Sequence, residues 1–204
     1  MAEANNIDEY IARQRQALAA NPECGTTHYN LGVALLGKKQ DDEAERAFLE
    51  AIDCSPSLAE AYVQLGGLCL KRGDLDGCLD WNQRAVKARP GFSEGYGNIG
   101  YVHLQRGEVD KAIESFKRST AFNFRFVQGY TSLATAHLMK GEVEEAIEAC
   151  QNALKAEPNF PVAHNNLAIA YLEKGDLDKA RIHAQRALEL GFEVAPEIMK
   201  EIES

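Results

Sequence analysis

Asn30-Leu31-Gly32, Gln64-Leu65-Gly66, Asn98-Ile99-Gly100, Ser132-Leu133-Ala134 and Asn166-Leu167-Ala168 are five versions of one tripeptide. Each lies 34 residues from the next, with no insertion or deletion between Thr26 and Leu190. A repeat of that length is one helical hairpin that cannot bury its apolar face alone, so neighbouring hairpins must stack to share a core. Such arrays present long surfaces and normally no catalytic centre, which turns the question of function into what the surface holds.

The repeats are counted from Gly25, Ala59, Ser93, Val127 and Pro161. Position 4 is then His28, Tyr62, Tyr96, Tyr130 and His164, position 20 is Ala44, Cys78, Ala112, Ala146 and Ala180, and position 27 is Ala51, Ala85, Ser119, Ala153 and Ala187. Large and small residues at helical spacing let an antiparallel pair of helices approach and interlock. Gly73-Asp74, Gly107-Glu108, Gly141-Glu142 and Gly175-Asp176 separate the two helices. Glycine takes the left-handed stop there, and the acid favours the next helix N-terminus. Pro56, Pro90 and Pro158 close repeats one, two and four, since proline cannot continue a helix.

With those residues in place the chain resembles the tetratricopeptide repeat family, whose pattern it matches with substitutions over about residues 25 to 192. The resemblance implies an all-α fold: a right-handed α-solenoid of helix-turn-helix hairpins with N- and C-terminal capping helices. The expected division is 1–24 as an N-terminal half-repeat, five repeats at 25–58, 59–92, 93–126, 127–160 and 161–192, and a C-terminal cap at 193–204, together one domain. Residues about 7 to 22 fall in register with a second helix. A short last helix over about 195 to 203 places Ile198, Met199 and Ile202 on one side to cover the end of repeat five.

Two departures stand out. The first turn, Gly37-Lys38-Lys39-Gln40-Asp41, carries its glycine two places early, which predicts a looser hairpin. Repeat three ends Phe122-Asn123-Phe124-Arg125-Phe126 with Phe124 at the place of proline, which predicts a second helix that runs on.

The net charge of −9 disfavours nucleic acid, which is bound largely through clustered Lys and Arg, and favours a neutral to basic protein or peptide. An acidic start without a basic-then-apolar order, and no apolar run near the length of a membrane span, point to a cytoplasmic protein with no direct membrane insertion. Five cysteines without Cys-x-x-Cys pairing fit a reducing compartment, and Cys69, Cys78 and Cys150 take packing positions.

As the resemblance implies, positions 2, 5, 6, 9, 12 and 13 of the first helix face a concave groove. Position 6 supplies Asn30, Gln64, Asn98, Ser132 and Asn166, a row of donor-acceptor side chains suited to the main chain of an extended peptide. The row resembles the asparagine ladder in the repeat domain of the O-linked N-acetylglucosamine transferase, though nothing resembles that enzyme's catalytic part. The alternative is that Asn-Leu-Gly is simply common in such repeats. Tyr29, Val33, Val63, Gly67, Gly97, Tyr101 and Thr135 flank the row at positions 5 and 9. Gly67 and Gly97 leave room around Tyr101 for an anchoring side chain. Only Lys71 is basic at position 13, so the groove lacks the basic clamp with which relatives grip acidic chaperone tails. The expected peptide crosses repeats two to four, over Gln64, Asn98 and Ser132.

Gly95-Tyr96-Gly97-Asn98-Ile99-Gly100 fits a dinucleotide-binding pattern but lacks a preceding strand. His103 and His137 share position 11 of adjacent repeats without a carboxylate or thiol pattern to complete a metal site. Neither a cofactor, a metal nor a catalytic residue is expected. The sequence therefore predicts a non-enzymatic adaptor or scaffold holding an extended peptide or partner helix. The alternatives are a self-assembling homo-oligomeric scaffold, for example on a bacterial organelle such as a magnetosome, and a regulatory accessory subunit of an enzyme complex.

Overall fold

The structure is a computed structural model that describes residues 2–203, and within them every regular element is a helix. The helices are α1 (Ala2–Ala20), α2 (Gly25–Gly37), α3 (Asp41–Cys54), α4 (Ala59–Lys71), α5 (Leu75–Ala88), α6 (Ser93–Gln105), α7 (Val109–Phe122), α8 (Val127–Met139), α9 (Val143–Ala156), α10 (Pro161–Glu173), α11 (Leu177–Glu189) and α12 (Pro196–Glu203). The chain divides into two compact units, residues 1–99 and 100–204, and the boundary falls inside α6.

In the N-terminal unit α1 packs on α2, α2 pairs with α3, α3 meets α4, and α4 pairs with α5. Ile11, Leu35, Phe48 and Leu65 share its core. In the C-terminal unit α7 meets α8, α8 pairs with α9, α9 meets α10, and α10 pairs with α11. The core there centres on Phe116, Ile147 and Leu167, and α12 adds a fully buried Ile202 with Ile198 and Met199 beside it.

The interlock within a hairpin depends on a missing side chain. A Cβ at Gly32 would lie 2.6 Å from the Phe48 ring, and one at Gly100 would lie 2.7 Å from the Phe116 ring. The fully buried Phe48 and Phe116 thus sit directly on the first helix of their own repeats. Repeats four and five place Ala134 with Cys150 and Ala168 with Ala184 at the same positions. A larger first-helix residue accompanies a smaller second-helix one, as close packing requires.

Both departures keep the regular backbone path, contrary to expectation. In the first turn Gln40 N–H donates to Leu35 O at 3.0 Å, matching Asp74 to Cys69, Glu108 to His103, Glu142 to His137 and Asp176 to Tyr171. Lys39 takes the left-handed φ of 60° that glycine holds in the other turns, so the closure is as tight as elsewhere and a lysine carries the strain. The helix α7 also stops in register, at Phe122. Asn123 does the stopping: its φ of −138° leaves the helix, and its Oδ1 accepts from Arg125 N–H at 3.0 Å. This side-chain turn replaces the proline.

All five cysteines are free. Burial pushes the Cys150 thiol up to about 12, so it packs as an inert apolar group. Ion pairs thirty residues apart join the end of a first helix to the preceding second helix: Lys38 with Asp8, Lys71 with Asp41, Lys140 with Asp110 and Lys174 with Glu144. Each adds little on an exposed surface.

Candidate interaction surfaces

In the N-terminal unit α2 presents Tyr29, Asn30 and Val33, and α4 presents Val63, Gln64, Gly67 and Lys71, at spacings that keep each set on one helix face. Val33 is 42% exposed, and a side chain built at Gly67 would meet nothing within 4 Å. Val63 and Asn30 are half-buried, and the Asn30 amide has no hydrogen bond among the described residues. Gln64 is already engaged with the Tyr29 hydroxyl. Burial raises the Tyr29 pKa, the Glu60 charge raises it further, and the Gln64 hydrogen bond opposes both. Lys71 is engaged as well, by Asp41.

Other members of the amide row also turn inward. Asn98 Nδ2 donates to Asn82 Oδ1 at 3.0 Å, and Asn82 is wholly buried. Asn82 Nδ2 in turn donates to Cys78 O at 2.8 Å. In the C-terminal unit Asn166 Nδ2 donates to Thr131 O at 3.2 Å and to Thr135 Oγ1 at 3.1 Å, both on the first helix of the preceding repeat. The row therefore staples repeats as well as facing outward. Ser132 stays half-buried with no side-chain partner among the described residues. Tyr101 is 41% exposed, and Gly97 is buried, unlike Gly67. Asn82 is the residue sequence reasoning missed. Its signal was an amide at position 24, where the other repeats hold Phe48, Phe116, Cys150 and Ala184.

The histidines at position 11 serve the turns. His103 Nδ1 lies 2.7 Å from Glu108 Oε2, and His137 Nδ1 lies 2.6 Å from Glu142 Oε2. Lys111 first, then His103, hold the Glu108 carboxyl below its usual range, and Lys140 with His137 do the same for Glu142. The glycines of the dinucleotide-like stretch lie within α6. Gly95 faces Val86 and Gly100 faces Phe116, so they serve packing. Trp81 lies 6.1 Å from the Tyr62 ring, with the Arg84 guanidinium 4.1 Å above it.

A second surface lies where repeat three passes into repeat four, within the C-terminal unit. Phe124 is 71% exposed. It borders a cleft of about 640 Å³ lined also by Arg125, Tyr130, Asn152, Lys155 and Ala156.

Both surfaces belong to helix-turn-helix repeats, and the hairpin architecture defines the class. A family model described as "Tetratricopeptide repeat" matches residues 3–59, 83–124 and 131–191, and the chain belongs to that family. No curated protein matches the chain. Among solved structures it is similar to MamA, with 25% identity and a TM-score of 0.68 over 79% of this chain and 94% of that one. PilF of Pseudomonas aeruginosa gives 17% identity and a TM-score of 0.82 over 99% and 91%. YrrB, described as a TPR protein with an unusual peptide-binding site, gives 17% identity and 0.68 over 93% and 96%. No described helix is long and apolar enough to cross a membrane.

Proposed function

We propose that the chain is a non-enzymatic adaptor that holds an extended peptide against the first-helix faces of its repeats. The observation that carries this reading is the open face of α2 and α4. There an exposed Val33 and an empty place at Gly67 accompany an uncommitted amide at Asn30 and a polar pair at Gln64 and Tyr29. Apolar surface beside backbone-pairing groups suits a peptide main chain with one anchoring side chain. Tyr101 and Ser132 offer the same chemistry within the C-terminal unit, where Asn166 is bonded to Thr135, and Asn98 is bonded to Asn82 within the N-terminal unit. The net charge of −9 favours a neutral to basic ligand. The likeness to YrrB, whose description names a peptide-binding site, agrees with this use of the fold.

A displayed peptide library panned on the full chain tests the reading. Peptides with basic or neutral flanks around an apolar residue should be enriched. Gly67→Leu should weaken the best of them at least tenfold by filling the open place, whereas Gln64→Ala should weaken it only about fivefold. Leucine suits a helix interior better than glycine, so the variant should stay folded. Undiminished binding to folded Gly67→Leu would remove this face as the site. Solution mass across a concentration series separates the adaptor from a self-assembling scaffold.

A further inference from the structure

In repeats one, two and five the side chain at position 4 hydrogen-bonds the carbonyl of the proline six residues before it. His28 Nε2 reaches Pro22 O at 2.8 Å, Tyr62 Oη donates to Pro56 O at 3.2 Å, and His164 Nε2 reaches Pro158 O at 3.1 Å. The equivalent residue in repeat four is Tyr130, six residues after Phe124. It makes no such bond, and its hydroxyl has no partner among the described residues. It lines the 640 Å³ cleft instead.

The other polar side chains there are also donors. Lys155 Nζ donates to Asn152 Oδ1 at 2.9 Å, which occupies the acceptor end of that amide and leaves its NH₂ for a ligand. The Arg125 guanidinium sits 5.6 Å from the centre of the Phe124 ring. Neither Arg125 nor Lys155 is paired with a carboxylate among the described residues, and no acidic residue lines the cleft. In a chain of net charge −9 this is a local concentration of donors and positive charge beside an exposed aromatic ring.

We propose that this cleft is a second peptide site, selective for a partner segment in which an aromatic or large apolar side chain stands next to carboxylates. The apolar side chain packs on Phe124. The carboxylate accepts from Arg125, from Lys155 and from the Tyr130 hydroxyl, and charge-assisted hydrogen bonds to a planar guanidinium fix its orientation. This charge preference is opposite to that proposed for the α2 and α4 face, so the two sites are separable by ligand.

The test pans a displayed library with one fixed phenylalanine and randomised flanks against the full chain and against the Arg125→Glu, Lys155→Glu double variant. Asp and Glu flanks should be enriched on the parent and lost on the variant. For the best acidic peptide, Arg125→Ala should weaken binding about tenfold and Tyr130→Phe a few-fold. Gly67→Leu should leave it unchanged, which distinguishes failure of this site from failure of the other. Arg125 is exposed and makes no ion pair among the described residues, so circular dichroism and melting of its variants should match the parent. Enrichment that survives the double variant, or enrichment of basic flanks only, overturns the proposal. So does loss of acidic peptide binding on Gly67→Leu, or parent binding to anionic vesicles but to no acidic peptide.

Discussion

The loops that close repeats three and four follow nearly the same backbone path and do opposite things with it. After α9, Pro158 offers its carbonyl to His164, and His164 Nδ1 lies 3.0 Å from His183 Nδ1, so the loop, α10 and α11 are joined by one polar chain. After α7, Asn123 supplies the stop that proline supplies elsewhere, Phe124 turns outward and Tyr130 is left unclaimed. Backbone geometry is thus conserved by different local chemistry, and the side chains released by the exchange become surface. The first turn shows the same separation, since Lys39 holds a glycine's conformation without changing the closure.

Four perturbations sharpen this contrast. The largest effect is expected from His164→Phe, which removes a buried ring's hydrogen bonds to the half-buried His183 and to Pro158 O and should cost about 1–3 kcal/mol in chemical denaturation. Lys39→Gly should stabilise by about 1 kcal/mol, read as a rise in the denaturation midpoint at constant slope, because glycine occupies the left-handed conformation without strain.

Acidification separates the loops next. Burial, and then the His164 charge, depress the His183 pKa below the ordinary histidine value of 6.5. The Nε2 of His164 faces a carbonyl and so carries a proton, which leaves its Nδ1 to accept from His183. The unfolded state then binds more protons than the folded one, so stability should fall as pH drops below about 6.5. His183→Asn should flatten this part of the melting profile, above the range where Glu108, Glu142 and Asp176 lose their own contributions. The smallest effect is expected for Tyr130→Phe, within about 0.5 kcal/mol of the parent, because no partner is lost. A cost like that of His164→Phe would show that Tyr130 is structural after all.

Much of the fold was legible because it rests on size and spacing. The 34-residue period marked the repeats and the turn glycines marked the hairpins, while the seating of Phe48 and Phe116 on Gly32 and Gly100 came from the structure. The surface was legible as a set of residues but not as a set of commitments. An amide has the same donors and acceptors whether it faces a ligand or a neighbour, so the amide row by itself did not distinguish Asn30, which is uncommitted, from Asn98, and the one signal lay outside the row, in the amide Asn82 that holds Asn98. Gly67 and Gly97 share composition yet differ in exposure, which depends on packing beyond the repeat pattern. The run-on of α7 was expected from the missing proline alone, and the asparagine beside it carried the overlooked signal.

The central claim, two peptide sites of opposite charge preference on one repeat scaffold, is tested most directly by amide chemical-shift mapping with the best basic and best acidic peptides. The basic peptide should shift signals around Val33 and Gly67 and leave Arg125 and Tyr130 unmoved, and the acidic peptide should do the reverse. Both peptides shifting one common set of residues, or neither shifting any, would contradict the account.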